Sequence, residues 1–331
     1  MANKEWDKVT IETKDGTKVG IAPVIISASR ATDIPAFHAK RFIERLDEGY
    51  IKWVNPFNRD RPQYVSFEKT RVIVFWTKNP KPIIPLLPKI DEKKINYYFT
   101  YTLNDYENEG LEPNLPPLEE RIKTFKELSN KIGKERVIWR FDPLILSETI
   151  TVKNLLDKVK NVGGHIHPYT TKLIISFVDI GQYASVQRNL GKKGNYREFN
   201  KNDMIEIAKG LQEFNKIWKL DMASCCEEAE LKNYGITHNR CIDGELMANV
   251  FPNDRNLMNF LLGISSNQNS LFMDVKPDMT KLKDKGQRQV CGCIISKDIG
   301  RYNSCMHLCT YCYANHTESR VAVDTEDPET L

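Results

Sequence analysis

The stretch RVIWRFDP, Arg136 to Pro143, carries two patterns at once. Side chains of an extended strand alternate between its faces, so Val137, Trp139 and Phe141 share one face while Ile138, Arg140 and Asp142 share the other. The first set is apolar throughout and suits packing under helices. The second turns from apolar to charged toward the C-terminal end, where parallel strands open onto functional sites. Two readings of Arg140 and Asp142 stay open at this level: groups of a site, or an internal ion pair that fixes the fold without touching a substrate.

Working outward, similar short apolar runs recur at VIISAS (24–29), IKWVN (51–55), RVIVFWTKN (71–79), YYFTYTLN (97–104), KLIISFVD (172–179) and LDMASCCE (220–227). Each is rich in β-branched or aromatic residues and short enough for a buried strand. Amphipathic helical patterns separate them. The clearest are PPLEERIKTFKELSNKIG (116–133), which opens on proline and acidic residues and closes on Gly133, and NKNDMIEIAKGLQEFNKIWK (200–219). Alternating strands and helices predict a mostly parallel sheet with crossover helices. Roughly six to eight such units close most economically into a TIM-like β/α barrel, partial or full.

The barrel is expected over residues 23–265. Before it, KVTIETKDGTKVG alternates around Asp15-Gly16 and predicts an N-terminal hairpin within residues 1–22. After it come the helix-like DRNLMNFLLGISS, a cysteine-rich segment over 266–320, and an acidic tail at 321–331 expected to be disordered. HIHP, at His165 to Pro168, follows Gly163-Gly164 and reads as a loop.

The chain has 331 residues, 40 % hydrophobic and 28 % charged, which suits a globular protein with a closed core. No apolar run approaches the roughly 18 residues of a membrane span. The N-terminus is charged from its start and lacks an apolar signal region, so a cytoplasmic protein is expected. A net charge of +4 is mild and makes no case by itself for a nucleic-acid partner. Neither a Walker A loop nor a Rossmann glycine fingerprint occurs, so nucleotide hydrolysis and nicotinamide chemistry are not expected. Eight cysteines in a reducing compartment read as metal ligands or catalytic thiols rather than disulfides.

Other predicted strand ends are also polar. Lys78 and Asn79 end one strand, Asn104 another, and Ser27, Ser29 and Arg30 a third. LDMASCCE places Asp221, Ala223, Cys225 and Glu227 on one face and Cys226 on the opposite one. Cys241, in RCIDG, begins a further predicted strand. Cys291 and Cys293 share a face of VCGCII if it is extended.

Three cysteines remain, in CMHLCTYCYAN: Cys305, Cys309 and Cys312, spaced C-x3-C-x2-C. Structural zinc sites and ordinary ferredoxin-type clusters take four protein ligands, so three point to a metal centre left open. The alternative is zinc completed by His307, His316 or a distant cysteine. C-x3-C-x-aromatic-C resembles the signature of radical S-adenosylmethionine (SAM) enzymes. Together with TKNP, YTLN, PPLEERIKTFKEL and WRFDP it is similar to the spore photoproduct lyase-like group, over about residues 22–318.

The resemblance implies a 4Fe-4S cluster on Cys305, Cys309 and Cys312, with its fourth iron binding SAM for reductive cleavage. It also implies Tyr311 and Tyr313 packing near SAM, and an electron donor of flavodoxin or ferredoxin type. Lys78, Arg140 and Asp142 are then catalytic candidates, and Asn104, Arg30 and Ser29 cofactor-binding ones. One departure stands out. The loop after the first barrel strand, SASRATDIPAF, has no cysteine, so the terminal segment is expected to fold back over the barrel mouth near Arg30 and Asp33.

Cys225, Cys241, Cys291 and Cys293 match the ligand count of a second iron-sulfur cluster or a zinc ion. Buried thiols without function, or a hydrogen-atom donor among them, are the other readings. The substrate class implied by the resemblance is nucleic acid or nucleotide, for which GKKGNYREFNK and KLKDKGQR offer basic segments. The competing function is an iron-sulfur or zinc-binding regulatory or nucleic-acid-binding protein that does not cleave SAM.

Overall fold

The computed structural model describes residues 6–55, 58–225, 230–264, 279–316, 321, 327 and 329–331. Cys226 and Glu227, expected on opposite faces of their strand, lie outside the described residues. The strands are β1 (Asp7–Thr13), β2 (Gly16–Ala22), β3 (Ile25–Ala28), β4 (Tyr50–Asn55), β5 (Asn58–Ser66), β6 (Val72–Thr77) and β7 (Asn96–Thr102). They continue with β8 (Val137–Leu144), β9 (Leu146–Ser147), β10 (Lys172–Phe177), β11 (Tyr196–Arg197), β12 (Asp221–Ser224), β13 (Ile236–His238) and β14 (Lys297–Asp298). The helices are α1 (Ile34–Phe37), α2 (Ala39–Glu48), α3 (Leu87–Glu92), α4 (Leu118–Ile132), α5 (Val152–Ile166), α6 (Ala184–Gly191), α7 (Lys201–Trp218), α8 (Gly244–Val250) and α9 (Arg255–Leu262).

The hairpin forms as expected, with Thr13 opposite Gly16, but it does not stand alone. It joins a mixed four-stranded sheet in the order β1-β2-β5-β4. IKWVN therefore forms β4, antiparallel to β5, and is no part of the parallel sheet.

The main sheet has eight strands, all parallel, in the order β13-β12-β10-β8-β7-β6-β3-β14. It is open. No pairing joins β13 to β14 among the described residues, so the expected TIM-like barrel, partial or full, is corrected to a Rossmann-like α/β arrangement. The cause lies in what covers the second face. Phe75, Phe99, Trp139, Phe141, Leu173 and Ile175 pack with Phe42 of α2, Phe125 of α4 and Leu155 of α5 in one core cluster. Ile25, Val72, Val74, Tyr98, Ile138 and Ile174 point the other way, into a second cluster. There Met247, Phe251, Leu257, Leu261, Met279 and Ile294 bury them. Strands sealed on both faces by later chain gain nothing from closing on themselves.

The helix boundaries follow local chemistry. Gly133 ends α4 with φ 94°, a backbone state that glycine adopts without strain. Asn200 caps α7 by accepting hydrogen bonds from the Asn202 and Asp203 amides. The loop expected at HIHP is corrected: His165 and Ile166 belong to the last turn of α5, and His167 begins a 3-10 turn. A Cβ on Gly163 would lie 2.3 Å from the Trp218 ring, so glycine there permits α5 to approach α7 closely. Among the described residues no helix is long and apolar enough to cross a membrane.

The acidic tail, expected to be disordered, is packed at its described positions. Glu329, Thr330 and Leu331 are buried, Lys52 pairs with Asp327 at 2.7 Å, and the Tyr50 hydroxyl donates to Glu329. Basic and hydroxyl groups on β4 give those carboxylates partners that composition does not reveal.

Candidate functional site

The C-terminal ends of the parallel strands are polar, and the last segment of the chain lies across them. β14 pairs with β3, and Asp298 Oδ2 accepts from Ser27 Oγ at 2.8 Å and from the Arg30 amide at 2.9 Å. Gly300 passes so near Ser29 that a Cβ would sit 1.8 Å from its Oγ. Tyr313 donates from its hydroxyl to the Arg30 carbonyl at 2.9 Å, and His307 Nε2 lies 2.8 Å from Asp33 Oδ2. Asp33 is itself fixed by Thr77 Oγ1 at 2.8 Å and the Lys78 amide at 2.7 Å. The segment thus docks near Arg30 and Asp33, over an open sheet and not over a barrel.

Between the sheet and this segment lies a cavity of about 380 Å³, within the usual range for a small-molecule site. Ser29, Arg30, Lys78, Arg140, Asp142, Tyr311 and Tyr313 line it, as do Cys225, Cys241, Cys291, Cys293, Cys305, Cys309 and Cys312. Asn104 does not reach the cavity. It is fully buried behind the wall, where its Nδ2 donates to Glu112 Oε1 and to the Tyr311 hydroxyl, each at 3.1 Å.

Glu112 organises that wall. Lys78 Nζ lies 2.8 Å from its Oε1 and 2.8 Å from the Tyr311 hydroxyl, which in turn donates to Glu112. Burial alone would raise the carboxyl's pKa, but Lys78 and Arg121 outweigh it and hold Glu112 below the ordinary carboxylate range. Burial likewise opposes the Lys78 charge, and Glu112 and Cys309 keep its pKa raised. The sequence offered no spacing from which Glu112 could be read, since it lies in the irregular loop after β7. His307 carried a weak signal, a titratable residue inside the cysteine loop.

Arg140 is buried and bonded through Nε to Asp142 Oδ2 at 2.9 Å. The ion pair forms, and both of its members face the cavity. Ser176 donates to the other Asp142 oxygen. Arg140 Nη1 also points at Cys241 Sγ, 3.0 Å away. Trp76 has the Arg30 and Arg140 guanidiniums 5.3 and 5.1 Å from its ring centre. Arg30 Nη2 is buried with no hydrogen-bond partner among the described residues.

No disulfide joins any two of the seven described cysteines. Burial pushes Cys305 up to about 12, with Asp33 and Cys312 adding to it, and burial raises Cys309 and Cys312 as well. Cys241 does not begin a strand as expected; it follows β13, whose last residue is His238. Among the described residues, no group of three or more His, Cys, Asp or Glu side chains is placed to hold a metal ion.

The molecule is an α/β protein whose open parallel sheet and cysteine-rich terminal segment flank a thiol-lined cavity. A family model matches residues 25–314, and the chain belongs to that family, Domain of unknown function (DUF1848). The match runs from the first strand of the parallel sheet to Ala314, beside the cavity. No curated protein matches the chain.

Proposed function

We propose that the chain is a radical SAM-type iron-sulfur enzyme in which Cys305, Cys309 and Cys312 hold a 4Fe-4S cluster. The observation that carries this reading is that three thiols from one eight-residue loop face the same cavity as Arg30, Lys78 and Arg140. When bound, such a cluster supplies the electron for reductive cleavage of SAM to methionine and a 5'-deoxyadenosyl radical. The residues present fit it. Three thiolates leave a coordination position open, and Lys78 favours charge on Cys309.

The orphaned Arg30 Nη2 is a buried donor in want of an anion, which suits a carboxylate or phosphate entering the cavity. Tyr313 stacks on Tyr183 at 5.4 Å between ring centres and offers a flat surface at the rim. Lys78, Glu112 and Tyr311 hold the cysteine loop against the sheet, and the enclosing segment keeps water from a reactive centre. The substrate we place in the nucleotide or nucleic-acid class, since Arg30, in the lining, has a guanidinium nitrogen with no partner among the described residues and suited to phosphate. The electron comes from a donor of flavodoxin or ferredoxin type, and the protein acts in the cytoplasm.

The test is anaerobic reconstitution with iron and sulfide, followed by dithionite and SAM. Brown protein that releases 5'-deoxyadenosine, with the product lost in Cys309→Ala, is the expected result by mass spectrometry. Brown protein that neither binds nor cleaves SAM would assign the chain to metal-dependent regulation or nucleic-acid binding instead.

A further inference from the structure

Four thiols outside the triad come from three chain segments that meet near the β13 edge of the sheet. Cys225 follows β12, Cys241 follows β13, and Cys291 and Cys293 lie in the segment that covers this face. Cys225 Sγ is 3.5 Å from Cys241 Sγ, the Cys241 amide lies 3.2 Å from Cys293 Sγ, and all four cysteines line the same cavity. We infer that Cys225, Cys241, Cys291 and Cys293 together hold a single zinc ion as a closed four-thiolate site, distinct from the centre proposed on the triad.

Spacing separates a single ion from a cluster. Zinc-thiolate bonds of about 2.3 Å in a tetrahedron put neighbouring sulfurs about 3.8 Å apart, close to the Cys225–Cys241 separation of 3.5 Å. Thiolates on different irons of a cubane stand much farther apart, because a metal-metal edge and two outward metal-sulfur bonds lie between them. The four side chains are not placed as a finished shell, and rotation about χ1 would bring them into one.

Hydrogen bonding to the sulfurs is the second observation. The amides of Cys241 and Ile242 donate to Cys293 Sγ at 3.2 and 3.4 Å. Asn239 Nδ2 and Arg140 Nη1 donate to Cys241 Sγ at 2.9 and 3.0 Å. A neutral thiol is a weak acceptor, so four donors aimed at two sulfurs, one of them a guanidinium, fit thiolates in a metal site. Four thiolates around a dication leave net negative charge, and Arg140 is placed to offset it. The ion would clip the short β13 to the segment that seals this face.

The test measures zinc and iron together in the full chain purified anaerobically, in the wild type, in Cys305→Ser/Cys309→Ser/Cys312→Ser, and in Cys241→Ser/Cys293→Ser. Expected is about one zinc per chain in the first two, with X-ray absorption showing four sulfurs at about 2.3 Å, and loss of zinc from the third. Because that third variant could fail by misfolding, cobalt(II) is also exchanged into the wild type. Intense thiolate-to-cobalt absorption with tetrahedral d–d bands is expected there, and its absence would overturn the site. Zinc retained in Cys241→Ser/Cys293→Ser, zinc missing from the triad variant, iron-iron scattering persisting in the triad variant, or a Cys225–Cys241 disulfide in anaerobic protein would each do the same. Failure to cleave SAM bears only on the triad, since the zinc is read in a chain that lacks it.

Discussion

Glu112 shows how one side chain sets the position of several others. It is buried, it faces Lys78 and Arg121, and it accepts from Tyr311 and Asn104. Glu112→Gln leaves the Lys78 ammonium without its counter-charge. The side chain of Lys78 keeps 17 % of its exposure, so a loss of about 3 kcal/mol is expected, the lower end for breaking a buried pair. Urea unfolding measures it. Its pKa is lowered in the folded chain, so the stability Glu112 contributes is present above its unfolded value and is lost as pH falls through its folded one. The same substitution should therefore flatten the acid limb of stability against pH, and an unchanged limb would remove this role. Arg140 and Asp142 were legible as candidates because strand alternation places them. Glu112 was not, because its importance comes from partners distant in sequence, Tyr311 above all.

At the scale of elements, the helices were the most readable parts. Proline and acidic residues at one end and Gly133 at the other bound α4, and Asn200 and Trp218 bracket α7. The misreading at HIHP, which follows Gly163-Gly164, has a definite cause. Paired glycines signal a break only when nothing else uses their missing side chains, and here Trp218 of α7 occupies the space over Gly163. Gly163→Ala should cost about 1–3 kcal/mol through overpacking against that ring, although alanine is the better helix former. A melting temperature equal to or above that of the parent chain would show that α5 and α7 separate without penalty. β5 was missed because Pro62 lies within it and its run lacks the apolar alternation of a strand core.

Across the whole molecule, the sheet's openness leaves two short edges, the three-residue β13 and the two-residue β14. Chain remote in sequence holds both ends: the loop after β13 by the segment carrying Cys291 and Cys293, β14 by β3, and the turn after β14 by Trp53 Nε1, which donates to the Gly300 carbonyl at 3.0 Å. Central strands flanked on both sides unfold only globally, whereas edges open locally. Hydrogen exchange should therefore protect β7 and β8 most and β14 and β13 least. Equal protection at the edges and the centre would mean that the terminal segment is as integral as the sheet. This bears on function, since that segment carries the triad into the cavity.

Composition, strand alternation and cysteine spacing were enough to specify an α/β chain with a parallel sheet, polar strand ends and a three-thiol loop, because those properties are local and repeat every few residues. Closure of the sheet was not local. It depended on whether later apolar residues would cover the face that a barrel turns inward, and Met247, Phe251, Leu257, Leu261, Met279 and Ile294 do so. Only tertiary packing could decide this, since burying the second face against later chain and burying it against the opposite strands satisfy the same hydrophobic pattern.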